Sequence, residues 1–456
     1  MSAIDRSAPP GIWSAEYVAV TVGAVALIFL AALQSLAVTT VMPVVSADLD
    51  GAALYAVAFS GTLATSVIGM VAAGAWADRS GPVAPLTTAV VLFVIGLSLA
   101  GLAGDMPTLV VGRLIQGLGT GGQTVALYVV VARVYPAALH GRVFAAFSAA
   151  WVVPSLIGPF LAGAVTEYLH WRWVFLGVAI LTVAAFASVL ARLHGRDVRT
   201  ADPVHEPVVG RLLWAVGVAV AALLLSVSGE LGGWAGTAVV ASAVLLVIAI
   251  KPLLPSGTLR IARGLPSVVL MRGLIAGALF GAEIYVPYLL IDEYEFSPTW
   301  AGLGLTASAL AWAFGAQVQG RHGDRIGNAR ITLLGTTQLA AAIAIAGLTA
   351  LLHLPAAVAI IGWTLSGLGM GLMYPRLTVL TLAYSRPQNQ GFNSSALSIA
   401  DSIGAATAIA VMGLVFTSLA GTGVAFAAAF GIALVLALGA VVPGLRLGRV
   451  HDTGGD

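Results

Sequence analysis

Gly74-Ala-Trp-Ala-Asp78-Arg79-Ser-Gly81 and Gly320-Arg-His-Gly-Asp324-Arg325-Ile-Gly327 are two copies of one phrase, G-x-x-x-D-R-x-G, set 246 residues apart (74 to 320). Each falls where a long apolar run ends and another soon begins. A charged Asp-Arg pair flanked by glycines suits a tight turn, because glycine accepts positive φ and close backbone approach. Two copies in equivalent settings predict a duplicated bundle. A second echo supports this: Gly117-Leu-Gly119-Thr-Gly121 returns as Gly367-Leu-Gly369-Met-Gly371, 250 residues later (117 to 367).

Composition sets the medium. Of the 456 residues 59% are hydrophobic and 9% charged, against about 25% charged in soluble domains. The apolar runs reach about 20 residues, enough for a helix to cross a bilayer core. The 54 glycines suit closely packed membrane helices. The first sixteen residues are polar, and the apolar run that follows is too long for a cleavable signal core; it reads as the first spanning helix.

Several functions are excluded. With no cysteine there is no disulfide, thiolate metal site or cysteine nucleophile. A phosphate loop needs a lysine, and the single lysine, Lys251, precedes Pro252, so ATP hydrolysis is not expected. No histidine falls in mid-span, which argues against an intramembrane metal or a histidine base. No cofactor, no metal, no enzymatic activity and no nucleic-acid partner are expected. The expected partners are the lipid bilayer, a small-molecule substrate and protons, handled by a monomer.

Polar breaks divide the chain into an N-terminal six-helix bundle (1–192), a cytoplasmic linker (193–210), two inserted helices and a loop (211–264), and a C-terminal six-helix bundle (265–456). The expected fold is thus an all-α polytopic membrane protein with about fourteen transmembrane helices. Placing the N-terminus in the cytoplasm puts eighteen of the 21 basic residues in inner loops or helix ends, as the positive-inside rule requires. Both termini and both Asp-Arg turns then face the cytoplasm, in the plasma membrane (the inner membrane of a bacterial cell).

Four ionisable residues fall inside spans: Arg113, Glu283, Arg376 and Asp401. Each costs about 2.5–3.5 kcal/mol at mid-helix on insertion scales, so each needs a partner or a wet cavity. Depth, at about 1.5 Å per residue, pairs Arg113 with Glu283 in the outer half and Arg376 with Asp401 nearer the inside. Such pairs can neutralise buried charge or serve transport. Glu283 has the stronger functional claim, lying in Gly281-Ala-Glu283-Ile-Tyr285-Val-Pro287-Tyr288, with tyrosine hydroxyls nearby and a proline that loosens the helix. A low-dielectric setting favours the protonated carboxyl. Such a group binds a proton or a cationic substrate in turn, which is the basis of antiport. Ser394, Ser398 and Asp401 share one helical face, fit for a hydrated path or for packing. Trp363, at the repeat position of Arg113, fits cavity lining and plain packing equally.

At this point the chain resembles the major facilitator superfamily, in particular the fourteen-helix branch of its drug:proton antiporters. Gly74, Asp78, Arg79 and Gly81 match that family's gating loop between helices 2 and 3, and Gly320, Asp324, Arg325 and Gly327 its second-half copy. Leu109-x-x-x-Arg113-x-x-Gln116-Gly117 is similar to the helix 4 motif, whose arginine the resemblance implicates in proton transfer. Gly158-Pro159-Phe-Leu-Ala-Gly163 resembles the helix 5 antiporter motif, with Ala162 in place of a glycine. The loop motif here lacks the usual basic residues, since Pro82 and Val83 follow Gly81. In the helix 1 pattern Gln34 stands at the acidic position. Glutamine hydrogen-bonds but carries no proton, so coupling would rest on Glu283 or Asp401. The resemblance implies export of amphipathic or cationic molecules by alternating access, with Glu283, Arg113, Asp401, Arg376, Gln34, Gln116, Tyr285, Tyr288 and Trp363 around the cavity. A carrier of lipids, sugars or other metabolites without Glu283-based proton coupling is the alternative, and an intramembrane enzyme the remote one.

Overall fold

The computed structural model describes residues 11–51, 54–193, 208–228, 234–296, 298–419 and 421–447, and the described residues form helices joined by short turns. Helices α1 (Val18–Asp48), α2 (Tyr55–Ser80), α3 (Val83–Gly101), α4 (Met106–Val134), α5 (Ala137–Tyr168) and α6 (Arg172–Leu193) come first. Then follow α7 (Val208–Val227) and α8 (Ala235–Ile250). The rest comprises α9 (Leu265–Glu283), α10 (Tyr285–Asp292), α11 (Pro298–Ile326), α12 (Asn328–Leu352), α13 (Ala356–Ala383), α14 (Gln390–Ser418), α15 (Ala425–Gly439) and α16 (Val441–Leu445). Most of the expected linker and the break at 229–233 lie outside the described residues.

Among the described residues eleven helices are long and apolar enough to cross a membrane, or twelve when the two limbs of α5, bent by 48°, count as one span, beside the expected fourteen. Among the described residues α7 has an apolar stretch over Val209–Leu225, and α11 is not among the eleven. The second half of α11 carries Gln317, Gln319, Arg321 and Asp324, which lowers its apolarity.

The glycine echo has a packing cause. Gly117 and Gly121 lie one turn apart and press on the backbone of α2 at Thr62 and Ser66. Gly119, on the opposite face, presses on α3 at Phe93. In the second half Gly367 and Gly371 meet α11 at Ser308 and Trp312, while Gly369 meets α12 at Gly335. Alternate glycines thus let α4 and α13 wedge between two neighbours at once, the gain in dispersion that holds membrane helices together. Hydrogen bonds follow the same contacts: Thr65 Oγ1 donates to Leu114 O at 2.8 Å, and Ser308 and Ser366 hydroxyls lie 3.1 Å apart.

Both Asp-Arg turns end in glycines of positive φ, 82° at Gly81 and 88° at Gly327. Each turn also touches the opposite bundle. Gly74 of α2 lies against Gly391 at the start of α14, and Gly320 of α11 lies against Gly141 at the start of α5. The contact is closer in the first case, where a Cβ on Gly74 would sit 2.5 Å from the carbonyl oxygen of Gly391. We call this the turn side of the molecule, and the other the far side.

Because both partners at Gly74–Gly391 are backbone, a side chain there cannot be absorbed by a rotamer change. Gly391→Ala is expected to force α2 and α14 apart, at about 1–3 kcal/mol against the closed arrangement. The chain has no cysteine, so paired spin labels at exposed Ser80 and Arg386 report that separation without background. An unchanged distance distribution would refute the expectation.

The inserted pair packs on the seam between bundles. Ala215 and Val218 of α7 and Ala249 of α8 share a core with Val67, Met70 and Val71 of α2 and Ile399 of α14. The guanidinium of Arg211 lies 4.2 Å from the ring of Phe392.

Candidate functional site

The turn side is closed by Asp78. Helix α14 begins with backbone N–H groups that have no intrahelical acceptor. Gly391 N donates to Asp78 Oδ1 at 2.6 Å, and Phe392 N to Oδ2 at 2.8 Å. The carboxylate, 7% exposed at the end of α2, therefore caps a helix of the other bundle, where the dipole favours negative charge. Arg133 of α4 adds to the closure, donating to Gln390 Oε1 at 2.8 Å and to Pro387 O at 2.6 Å. Arg79 is exposed beside it.

The second turn works differently. Asp324 is exposed and accepts from Arg376 Nη1 at 2.8 Å, while Arg376 Nε and Nη2 both reach Asn328 Oδ1, at 2.7 and 2.5 Å. Arg376 thus ties α13 to the turn between α11 and α12. This corrects its expected pairing with Asp401 and its place at the cavity; Arg376 reaches towards the turn side, and its guanidinium is used up there.

Asp401 has other partners. Arg272 Nε donates to Asp401 Oδ1 at 2.7 Å, and the Tyr374 hydroxyl donates to Oδ2 at 2.8 Å. Arg272 Nη1 donates to Tyr374 O (2.9 Å) and Thr378 Oγ1 (3.2 Å), and its guanidinium lies 3.1 Å from the Tyr374 ring centroid. Tyr128 of α4 approaches this cluster from the other bundle, and Trp312 packs edge-on against Tyr374 at 5.3 Å. By sequence Arg272 falls among the basic residues near helix ends. One signal for it was present: Arg272, Ala276, Leu279 and Glu283 fall at spacings that put all four on one face of α9.

Glu283 ends α9, just before the break at Ile284. It is half-buried, and no hydrogen bond or ion pair to it exists among the described residues. The expected pair with Arg113 is not formed. Arg113, 5% exposed, donates from Nε to Ala58 O at 3.1 Å and from Nη1 to Gln116 Oε1 at 2.7 Å. Both acceptors are neutral. Tyr285 and Tyr288 turn away from the expected cavity, stacking on Phe416 at 5.0 and 5.3 Å, with Phe426 completing the cluster. Opposite helix faces separate them from Glu283.

Trp363 is fully buried in the core of the second bundle, with no partner for its Nε1 among the described residues. Gln34 is also fully buried, and neither amide atom has a hydrogen-bond partner among the described residues. Of the helix 5 motif, Gly158 contacts Leu33 and Leu36 of α1, and nothing lies within 4 Å of where a Cβ on Gly163 would point. Pro159 falls within α5. No cluster of three potential metal ligands occurs among the described residues.

Comparison with known proteins adds four findings. The model of the Major Facilitator Superfamily matches residues 24–263 and 268–454. The multidrug transporter protein MdtP of Bacillus subtilis (strain 168) is 25% identical over 411 residues, covering 88% of this chain and 75% of that protein. The multidrug efflux pump SdrM of Staphylococcus aureus (strain N315) is 24% identical over 404 residues, with 87% and 89% covered. Among solved structures, a bacterial homologue of the iron transporter ferroportin in its outward-facing state superposes with TM-score 0.70 at 13% identity, over 94% of this chain and 99% of that one.

Proposed function

The chain belongs to the Major Facilitator Superfamily, and from that premise we propose that it is a secondary active transporter exporting amphipathic or cationic small molecules in exchange for protons. The likeness to two multidrug efflux proteins supports the substrate class. Two bundles rock about a central site, as in other carriers built from repeats. The distribution of basic residues supports placing the turn side in the cytoplasm. The reading includes a plasma-membrane location and a monomer as the working unit. The closed turn side then corresponds to an outward-facing state.

One observation carries the coupling: Glu283 is a half-buried carboxylate without a partner among the described residues, at a helix break inside a span. A carboxylate already bonded, such as Asp401, must give up Arg272 and Tyr374 before it can bind anything else. Glu283 gives up nothing. Bound substrate and bound proton exclude one another there, and a ligand drives the cycle only by binding the two states differently.

Glu283→Gln is expected to abolish export driven by an imposed pH gradient in proteoliposomes, a loss of about a hundredfold or more. Downhill exchange of preloaded substrate should survive. Full gradient-driven export by the variant would remove Glu283 as the coupling residue.

A further inference from the structure

The charges within the spans do not all balance. Arg272 is matched by Asp401 at 2.7 Å, Arg376 by Asp324 at 2.8 Å, and Asp78 by two backbone N–H groups. Arg113 and Glu283 remain, of opposite sign and on opposite bundles. Arg113 is buried with only neutral acceptors, and no carboxylate lies within ion-pairing distance among the described residues. A guanidinium in that setting is costly until an anion meets it. Gln34, on α1 of the same bundle, is buried with its whole amide unbonded. Glu283 lacks a cation.

The two groups also share a level. Arg113 is seven residues from the far-side start of α4 at Met106 (106 to 113), and Glu283 nine from the far-side end of α10 at Asp292 (283 to 292). At about 1.5 Å per residue both lie roughly 10–14 Å in. A purely cationic molecule would satisfy Glu283 and leave Arg113 repelling it. A molecule with both charges satisfies each bundle.

We propose that the transported substrate is a zwitterionic small molecule, whose anionic group pairs with Arg113 and whose cationic group pairs with Glu283. This rests on the reading of Glu283 as a substrate-binding carboxylate. Binding across the two bundles makes the substrate itself the bridge between them, with unlike charges at its two ends.

The test uses two fluorescent probes of one shape. Rhodamine B carries a carboxylate beside its cationic ring system; its ethyl ester keeps only the cation. In anisotropy titrations of the full chain in detergent, the wild type is expected to bind rhodamine B about tenfold or more tighter than the ester. Arg113→Gln should reverse that order. Gln116→Glu serves as the second variant, since its Oε1 already lies 2.7 Å from Arg113 Nη1. It supplies the missing anion from within, and should weaken rhodamine B by about tenfold while tightening the ester.

Three results would overturn the proposal: ester binding equal to or tighter than rhodamine B in the wild type, no binding of rhodamine B, or a ratio unchanged in both variants. An Arg113→Gln protein that loses both probes equally would also overturn it, pointing to an internal role for the arginine. The coupling proposal fails separately. Preference for rhodamine B without pH-gradient-driven export would remove antiport and leave the zwitterion site standing.

Discussion

Asp78→Asn is expected to open the turn side. The native carboxylate accepts two N–H bonds, one on each oxygen, from the first turn of α14. Asparagine offers one acceptor and turns an NH2 towards the other N–H, so one bond is lost and a donor faces a donor. A hydrogen bond to a charged group is worth about 1.5–3 kcal/mol, and the favourable pairing with the helix dipole is lost as well. The closed state should fall by about 2–3 kcal/mol, a change of roughly 30- to 150-fold in the ratio of closed to open molecules. Spin labels at Ser80 and Arg386 should show the long-distance population become dominant. Transport should fall with it, because a carrier that cannot hold one state cannot complete the cycle. Asp324→Asn is the matched control. Its carboxylate is exposed and contacts Arg376 of its own bundle, so the label distance should not move. Equal effects of the two variants would refute the assignment of closure to the Asp78 carboxylate.

Arg272→Met is expected to be the most destabilising single change in the second bundle. It leaves Asp401 Oδ1 without its donor, and frees Tyr374 O and Thr378 Oγ1 as well. Removing one partner of a buried pair costs about 3–5 kcal/mol, because the remaining charge is stranded. The double variant Arg272→Met, Asp401→Leu removes both charges. It should recover most of that loss, since replacing a whole buried pair by apolar groups is often neutral. Thermal unfolding in detergent reads both. Were the single variant as stable as wild type, Asp401 would have to be neutral already, and the pair would hold nothing together. The same comparison bears on function. If the double variant still exports along a pH gradient, the Arg272–Asp401 pair is structural and coupling belongs to Glu283 alone.

The membrane setting, the duplication and the wedge-like α4 and α13 could be read from the chain, because each depends on local features: run length, repeated glycines and turn residues that need positive φ. Gly81 and Gly327 adopt the left-handed backbone that their place in the turns required. The count of spans was less legible. Helix α11 carries Gln317, Gln319, Arg321 and Asp324 in its second half, which lowers the apolarity by which a span is recognised.

Partners across helices were the part the chain concealed. Depth along a span can be counted at about 1.5 Å per residue, but direction around the helix axis and side-chain reach decide which charges meet. Arg376 and Asp401 share a depth, yet the guanidinium of one extends to Asn328 and Asp324, and the other finds Arg272 on α9. Tyr285 and Tyr288 follow Glu283 closely in sequence but face Phe416.

By itself the sequence determined a duplicated all-helical carrier whose turns carry Asp78 and Asp324, and it singled out Glu283. Only the tertiary structure distinguished the two turns. The same eight-residue phrase caps a helix of the opposite bundle in the first half and clamps its own bundle in the second. The reason is physical: a carboxylate's role is set by which donors lie within 3 Å of it, and those donors come from 313 positions away for Asp78 and 52 for Asp324. Gly391 and Phe392 reach Asp78 only once both bundles have folded and met.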